Sequence, residues 1–185
     1  MSKLMDSIKE KARQANKRIV LAEGEEERII LAAEKITKEK IARVTLLGDI
    51  NVIKNKCPNA DLTNIDIINP KNSEAKQKYA DLFYELRKNK GVTPEQAYAI
   101  TDNSLYYGVL MIKSGDCDGM VAGSINSTGD VLRPALQVIK TAKGISTVSS
   151  CFIMCLPDDC EYGEDGIMVF GDCAVNINPS KEELA

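Results

Sequence analysis

Asp118–Lys140, DGMVAGSINSTGDVLRPALQVIK, is the stretch that decides the fold. Its apolar run Met120–Val121–Ala122 reads as a buried strand, and Gly123 breaks that run. Seven small or polar residues, SINSTGD, then read as a loop. Val131, Leu132, Ala135, Leu136, Val138 and Ile139 follow at helical spacing. Pro134 fits the first turn of that helix, where its missing N–H breaks no bond. The order is strand, small-residue loop, helix.

Such a junction leaves unpaired N–H groups at the helix start, with the positive end of the dipole behind them. Small side chains let an anion approach that backbone. Ser127 and Thr128 add hydroxyl donors, and Arg133 adds a guanidinium fork suited to phosphate. Asp130 would repel an anion, so its expected role is to cap the helix. The same spacing also fits a plain βα turn, since loops of this kind are common in α/β domains.

Working outward, the amino-terminal side repeats the pattern. Ser2–Gln14 reads as a charged amphipathic helix with Leu4, Met5, Ile8 and Ala12 on one side. Strands are expected at Arg18–Ala22, Arg43–Leu47 and Ile65–Ile68. Between them lie the Glu23–Gly24 turn, a helix at Glu25–Lys38, and a short helix capped by Asp49 and running to Lys56. Asn72–Asn89 reads as one long helix ended by Gly91, with Tyr79, Leu82, Phe83 and Leu86 at core spacing. Thr93, Pro94 and Gln96 form a capping box that opens a helix reaching about Ser114. Strands alternating with helices predict a doubly wound, mainly parallel α/β sheet. Ligands in such folds sit at the carboxyl ends of the strands. Loop 123–130 and the Glu23–Gly24 turn share that edge if their strands are neighbours.

Past Gly144 the composition changes. ISTVSSCFIMCLP and IMVFGDCAVNI read as strands without a helix between them, joined by the acidic, turn-rich PDDCEYGEDG. The expected organisation is a first α/β domain over 1–144 and the β-rich start of a second over 145–185. Asn178–Pro179–Ser180 and Glu183 read as a helix start, and the chain ends two residues later. A helix needs more than one turn to offset nucleation. The sequence therefore reads as cut inside an element.

Composition narrows the chemistry. The net charge of -3 argues against a nucleic-acid surface. No run reaches the ~18 apolar residues of a membrane span. The charged amino terminus has no apolar signal core, so the expected location is the cytoplasm. Histidine is absent, which removes His triads, His metal ligands and a His base. Of the six cysteines, the last four match no zinc spacing, and buried structural thiols are the expected reading.

STGDVLRPALQVIKT resembles the signature of the phosphate acetyltransferase (phosphotransacetylase) family. RIVLAEGEEER, FYELRKNKG and PDDCEYGEDG resemble further motifs of that family, in the same order, so that the likeness runs nearly end to end. The resemblance implies an isocitrate/isopropylmalate dehydrogenase-like fold with the start of a second α/β domain. It implies reversible transfer of acetyl between coenzyme A and phosphate, with no cofactor beyond coenzyme A as substrate. The implied partners are acetyl-CoA or CoA and phosphate or acetyl phosphate, with neither nucleic acid nor membrane. The family usually forms homodimers, and its catalytic aspartate lies in a segment beyond Ala185.

Carried over residue by residue, Arg133 is the catalytic residue within this chain and contacts the phosphate-bearing substrate, Ser127 and Thr128 are the hydroxyl pair of the acyl-phosphate site, and Arg87 helps bind coenzyme A. Arg28 matches a further family motif, which implies a part in substrate binding. Read without the resemblance, Arg87 is a helix C-terminal cation and Arg133 a solvated first-turn side chain. Arg28 then pairs with a glutamate three or four residues away. Cys160 matches a family cysteine near the site, but a thiol set between acids resists ionisation, which disfavours a nucleophile. Phosphate butyryltransferase and a non-catalytic binding fragment are the alternatives. A generic nucleotide-binding domain lacks both GxGxxG and a Walker lysine.

Overall fold

The computed structural model describes residues 3–145, 147–157, 160–164, 166–171, 175 and 179–181. The chain divides into two compact units. One spans Lys9–Lys140; the other comprises the described residues among 1–8 and 141–185.

In the larger unit β1 (Arg18–Leu21), β2 (Arg43–Leu47), β3 (Ile65–Ile68) and β4 (Gly119–Val121) form one sheet in the order β3-β2-β1-β4. Every pairing is parallel. Alternate strand residues enter different cores, as the pleat requires. Leu21, Val44, Leu46 and Ile65 pack with Ile30, Ala33 and Ile53 of α2 (Glu27–Lys38) and α3 (Ile50–Lys56). Val20, Ala22 and Leu47 pack instead with Tyr79 and Phe83 of α4 (Lys76–Arg87), Ala97 of α5 (Pro94–Ile100), and Tyr107 and Leu110 of α6 (Ser104–Ser114). Helices on both faces of a parallel sheet make the fold α/β, as expected.

Several boundaries differ from the sequence reading. The helix expected over Asn72–Asn89 starts at Lys76, because Asn69 and Ser73 first turn the backbone with their own side chains. The helix expected from Pro94 to Ser114 is two helices. Asn103 Oδ1 accepts from the N–H groups of Leu105 and Tyr106 and caps a new start. The last helix, α7 (Thr128–Pro134), begins three residues earlier than its apolar spacing suggests. Pro134 therefore lies at its end rather than in its first turn. The chain continues as a π-turn, Ala135–Ile139, closed by the Lys140 N–H on Ala135 O at 3.0 Å. A proline that removes a ladder donor is a common cause of such departures.

The amino-terminal helix α1 (Lys3–Ala15) forms, but Met5 and Ile8 are 38% and 45% exposed. In the smaller unit β5 (Cys151–Cys155) pairs antiparallel with β6 (Ile167–Gly171). Cys57 and Cys117 are buried, whereas Cys151 and Cys155 are exposed, contrary to the expected burial of the thiols. Both of these sulfurs lie on β5, all five of whose residues are exposed. Cys173 and the expected helix start around Asn178 and Glu183 lie outside the described residues.

Candidate functional site

The sheet order reverses at β1. Its sequence successor β2 lies on one side and β4 on the other, which makes the β1/β4 crevice the topological switch point. The chain leaves both strands side by side, and the Ala22 N–H still reaches Val121 O at 3.3 Å. The expectation that the Glu23 turn and loop 123–130 share an edge is met.

What occupies that edge is Glu23 itself. Its buried carboxylate accepts from the backbone N–H groups of Gly123 (2.9 Å) and Ser124 (2.7 Å) on Oε2. Oε1 accepts from the N–H groups of Ile125 and Asn126, both at 3.0 Å, and from Asn126 Nδ2 at 2.7 Å. Gly123 has φ 110°, a conformation that side chains rarely adopt, and it turns the following amides inward. Burial on its own raises the Glu23 pKa; the hydrogen bonds outweigh it and hold the carboxyl below its ordinary range. A carboxylate offers about four lone-pair sites, so these five donors leave it saturated.

Beside this clamp lies a cavity of about 370 Å³ at the carboxyl ends of the strands. Glu23, Gly24, Gly48, Lys56, Asn69 and Asn126 are among its lining residues. The wall is cross-tied. Glu25 Oε1 accepts the Asp49 N–H at 2.8 Å, and Lys56 Nζ donates to Glu25 O at 2.7 Å. None of Arg28, Arg87, Ser127, Thr128 and Arg133 lines this cavity.

Ser127, not Asp130, is the N-cap of α7. Its Oγ accepts the Asp130 N–H at 3.2 Å and donates to Asp130 Oδ2 at 2.6 Å. The Ser127 hydroxyl is thus engaged within the helix start, while Thr128 is exposed. Arg133 is exposed and sits 3.7 Å from Asp130 Oδ1. Arg28 pairs with Glu26, two residues back, at 2.7 Å, rather than with a glutamate one helical turn away. The reason is that Glu26 is the N-cap of α2, so its carboxylate turns toward the helix start. Arg28 Nη2 also donates to Ser124 O at 3.1 Å, which joins α2 to the site loop.

Arg87 closes α4, and its buried Nε has no hydrogen-bond partner among the described residues. Arg87 and Arg133 meet electrostatically at Tyr106. Desolvation raises the pKa of that phenol, and both guanidiniums pull against the rise. The Tyr106 hydroxyl donates to Gln137 Oε1 in the π-turn at 3.0 Å. Cys160 lies in the smaller unit and is partly buried, and Asp158 and Asp159 beside it lie outside the described residues.

Sequence reasoning passed over Glu23, Tyr106 and Gln137. Glu23 left a trace: a carboxylate directly after the apolar RIVLA strand, at the edge where ligands bind, though Glu25, Glu26 and Glu27 close behind it mask the signal. Tyr106 and Gln137 left none, because they sit within ordinary amphipathic spacing.

A parallel sheet with helices on both faces and a switch point between β1 and β4 places the larger unit in the doubly wound α/β class. Comparison with known proteins is more specific. The profile described as "Phosphate acetyl/butaryl transferase" matches residues 3–185, and the chain belongs to that family. It is 50% identical over 184 residues to a phosphate acetyltransferase of Clostridium acetobutylicum, covering 98% of this chain and 55% of that protein. A phosphate acetyltransferase of Thermoanaerobacterium thermosaccharolyticum is 49% identical, with 98% and 55% covered. A crystal structure of a phosphotransacetylase from Streptococcus pyogenes superposes with a TM-score of 0.87 at 35% identity, over 99% of this chain and 55% of that one. The chain thus spans about half the length of the relatives it matches.

Proposed function

We propose that this chain serves phosphate acetyltransfer: acetyl-CoA plus phosphate giving acetyl phosphate plus coenzyme A, in either direction. The observation that carries the reading is the 50% identity across 98% of the chain to a protein of that activity. A phosphate oxygen attacks the thioester carbonyl, the C–S bond breaks, and the sulfur leaves as coenzyme A thiol with the proton that phosphate gives up. Both reactants are polyanions, so guanidiniums and hydroxyls are the equipment required. In this reading Arg133, Thr128 and Ser127, whose hydroxyl turns from Asp130 to the ligand, hold the phosphate-bearing substrate and Arg87 the coenzyme A. Arg28 steadies the loop through Ser124 O. Rate comes from holding both substrates in attacking geometry, without a covalent enzyme intermediate. The reaction runs in the cytoplasm and uses neither metal nor redox cofactor.

The acetyl group is preferred over butyryl because the Clostridium and Thermoanaerobacterium relatives are acetyltransferases. A hydroxamate assay on the protein carrying this chain, run with acetyl-CoA and butyryl-CoA, tests the reading. Faster acetyl turnover is expected. Faster butyryl turnover rejects the substrate, and coenzyme A binding without turnover rejects catalysis. Arg133→Ala is expected to raise the KM for phosphate by about 10- to 100-fold, the range for losing a charged hydrogen-bond donor.

A further inference from the structure

We propose that Glu23 is a built-in anion: it fills the switch-point amide nest permanently, keeps the substrate's phosphate out of it, and fixes the 123–126 loop that leads into α7. Four successive N–H groups and one side-chain amide converge on its two oxygens at 2.7–3.0 Å. That is the donor array with which such folds hold a ligand phosphate. Here it is filled from within the chain, by a residue one hundred positions or more away. A phosphate entering the nest would have to displace a saturated, buried carboxylate and leave that charge unpaired, so the two anions exclude each other.

The clamp also orders the start of α7. Asn126 is held at both its N–H and its side chain, and Ser127 caps α7 immediately afterwards. Glu23 therefore sets the position from which Thr128 and Arg133 project. It is a positioning residue, since its saturated oxygens have no capacity left to accept a substrate proton. The occupancy stands on geometry alone; its kinetic consequence rests on the acetyl-transfer reading.

Backbone amide exchange followed by NMR tests the occupancy without any turnover. In the wild-type chain, inorganic phosphate should leave exchange at Gly123–Asn126 unchanged. Glu23→Ala should speed exchange of those amides by about tenfold or more, and formate, a free carboxylate, should slow it again. Phosphate protecting these amides in the wild type would make the nest a substrate site and overturn the proposal, as would unchanged exchange in Glu23→Ala. If Glu23→Ala does not fold, Glu23→Gln keeps the shape but turns an NH2 toward one pair of amides. Exchange must then quicken at 123/124 or at 125/126, and no change at either pair rejects the idea. In the turnover assay, Glu23→Gln should raise the KM for phosphate while leaving that for coenzyme A unmoved. A wild type without acetyl transfer would sink the functional reading and leave the amide result intact.

Discussion

At the scale of single residues, two glycines at the site edge are needed for opposite reasons. A Cβ on Gly24 would lie 2.7 Å from Leu47 O, a backbone atom that cannot step aside. A Cβ on Gly123 would meet nothing within 4 Å, but its φ of 110° is one that side chains rarely adopt. Gly24→Ala therefore fails by contact and Gly123→Ala by conformation, each expected to destabilise by about 1–3 kcal/mol in urea unfolding. The two separate at the loop. Gly123→Ala should loosen the amides that hold Glu23, whereas Gly24→Ala should act through the β1–β2 edge and leave them protected. Equal exchange in both variants would refute the distinction. This scale was the least legible in the sequence. The helical spacing after residue 130 and the small-residue loop could be read locally. The partner of that loop could not, because a contact spanning a hundred residues leaves no periodic signal.

Elements were legible wherever a local rule dominates. The Thr93 capping box, the Asp49 cap, and the end of α6 at Gly115 all stand where the residues put them. The reading failed where two helices bury the same way. Apolar spacing runs on from α5 into α6 because both pack into one core, so the break at Asn103 is hidden from a periodicity argument. Helices α4 and α6 are also tied by Asp116, just past the end of α6. Its carboxylate accepts from Lys78 Nζ at 2.6 Å, Ser114 Oγ at 2.6 Å and the Tyr79 hydroxyl at 2.7 Å. The Lys78 contact leads in holding its pKa down to about 2, against an ordinary 3.8. A depressed carboxylate stabilises the fold fully above its unfolded value, and that stability is lost as pH falls through the folded value. The stability gap between wild type and Asp116→Asn should thus be constant near neutrality and shrink as pH falls from 3.8 toward about 2. Equilibrium unfolding at stepped pH measures it, and a gap that stays constant through that window would exclude the tie.

For the molecule as a whole, the sheet of the 9–140 unit carries a core on each face, and this sets how it unfolds. Leu46 faces α2 and α3, while Leu110 lies against the strands from the α4–α6 side; both are fully buried. Neighbouring residues of one strand, Leu46 and Leu47, enter the two different cores. Neither core can come apart without releasing the strand that lines the other. Leu46→Ala and Leu110→Ala should each lower stability by about 2–5 kcal/mol, as cavities in a close-packed interior do. Both should move one shared transition of this unit, with the denaturant slope unchanged, because the surface exposed on unfolding is the same. A variant that split the transition in two would show that the faces fold separately. Glu23 and the 123–126 loop keep their register only while β1 and β4 stay paired, so such a split would also uncouple the site from one of the two cores.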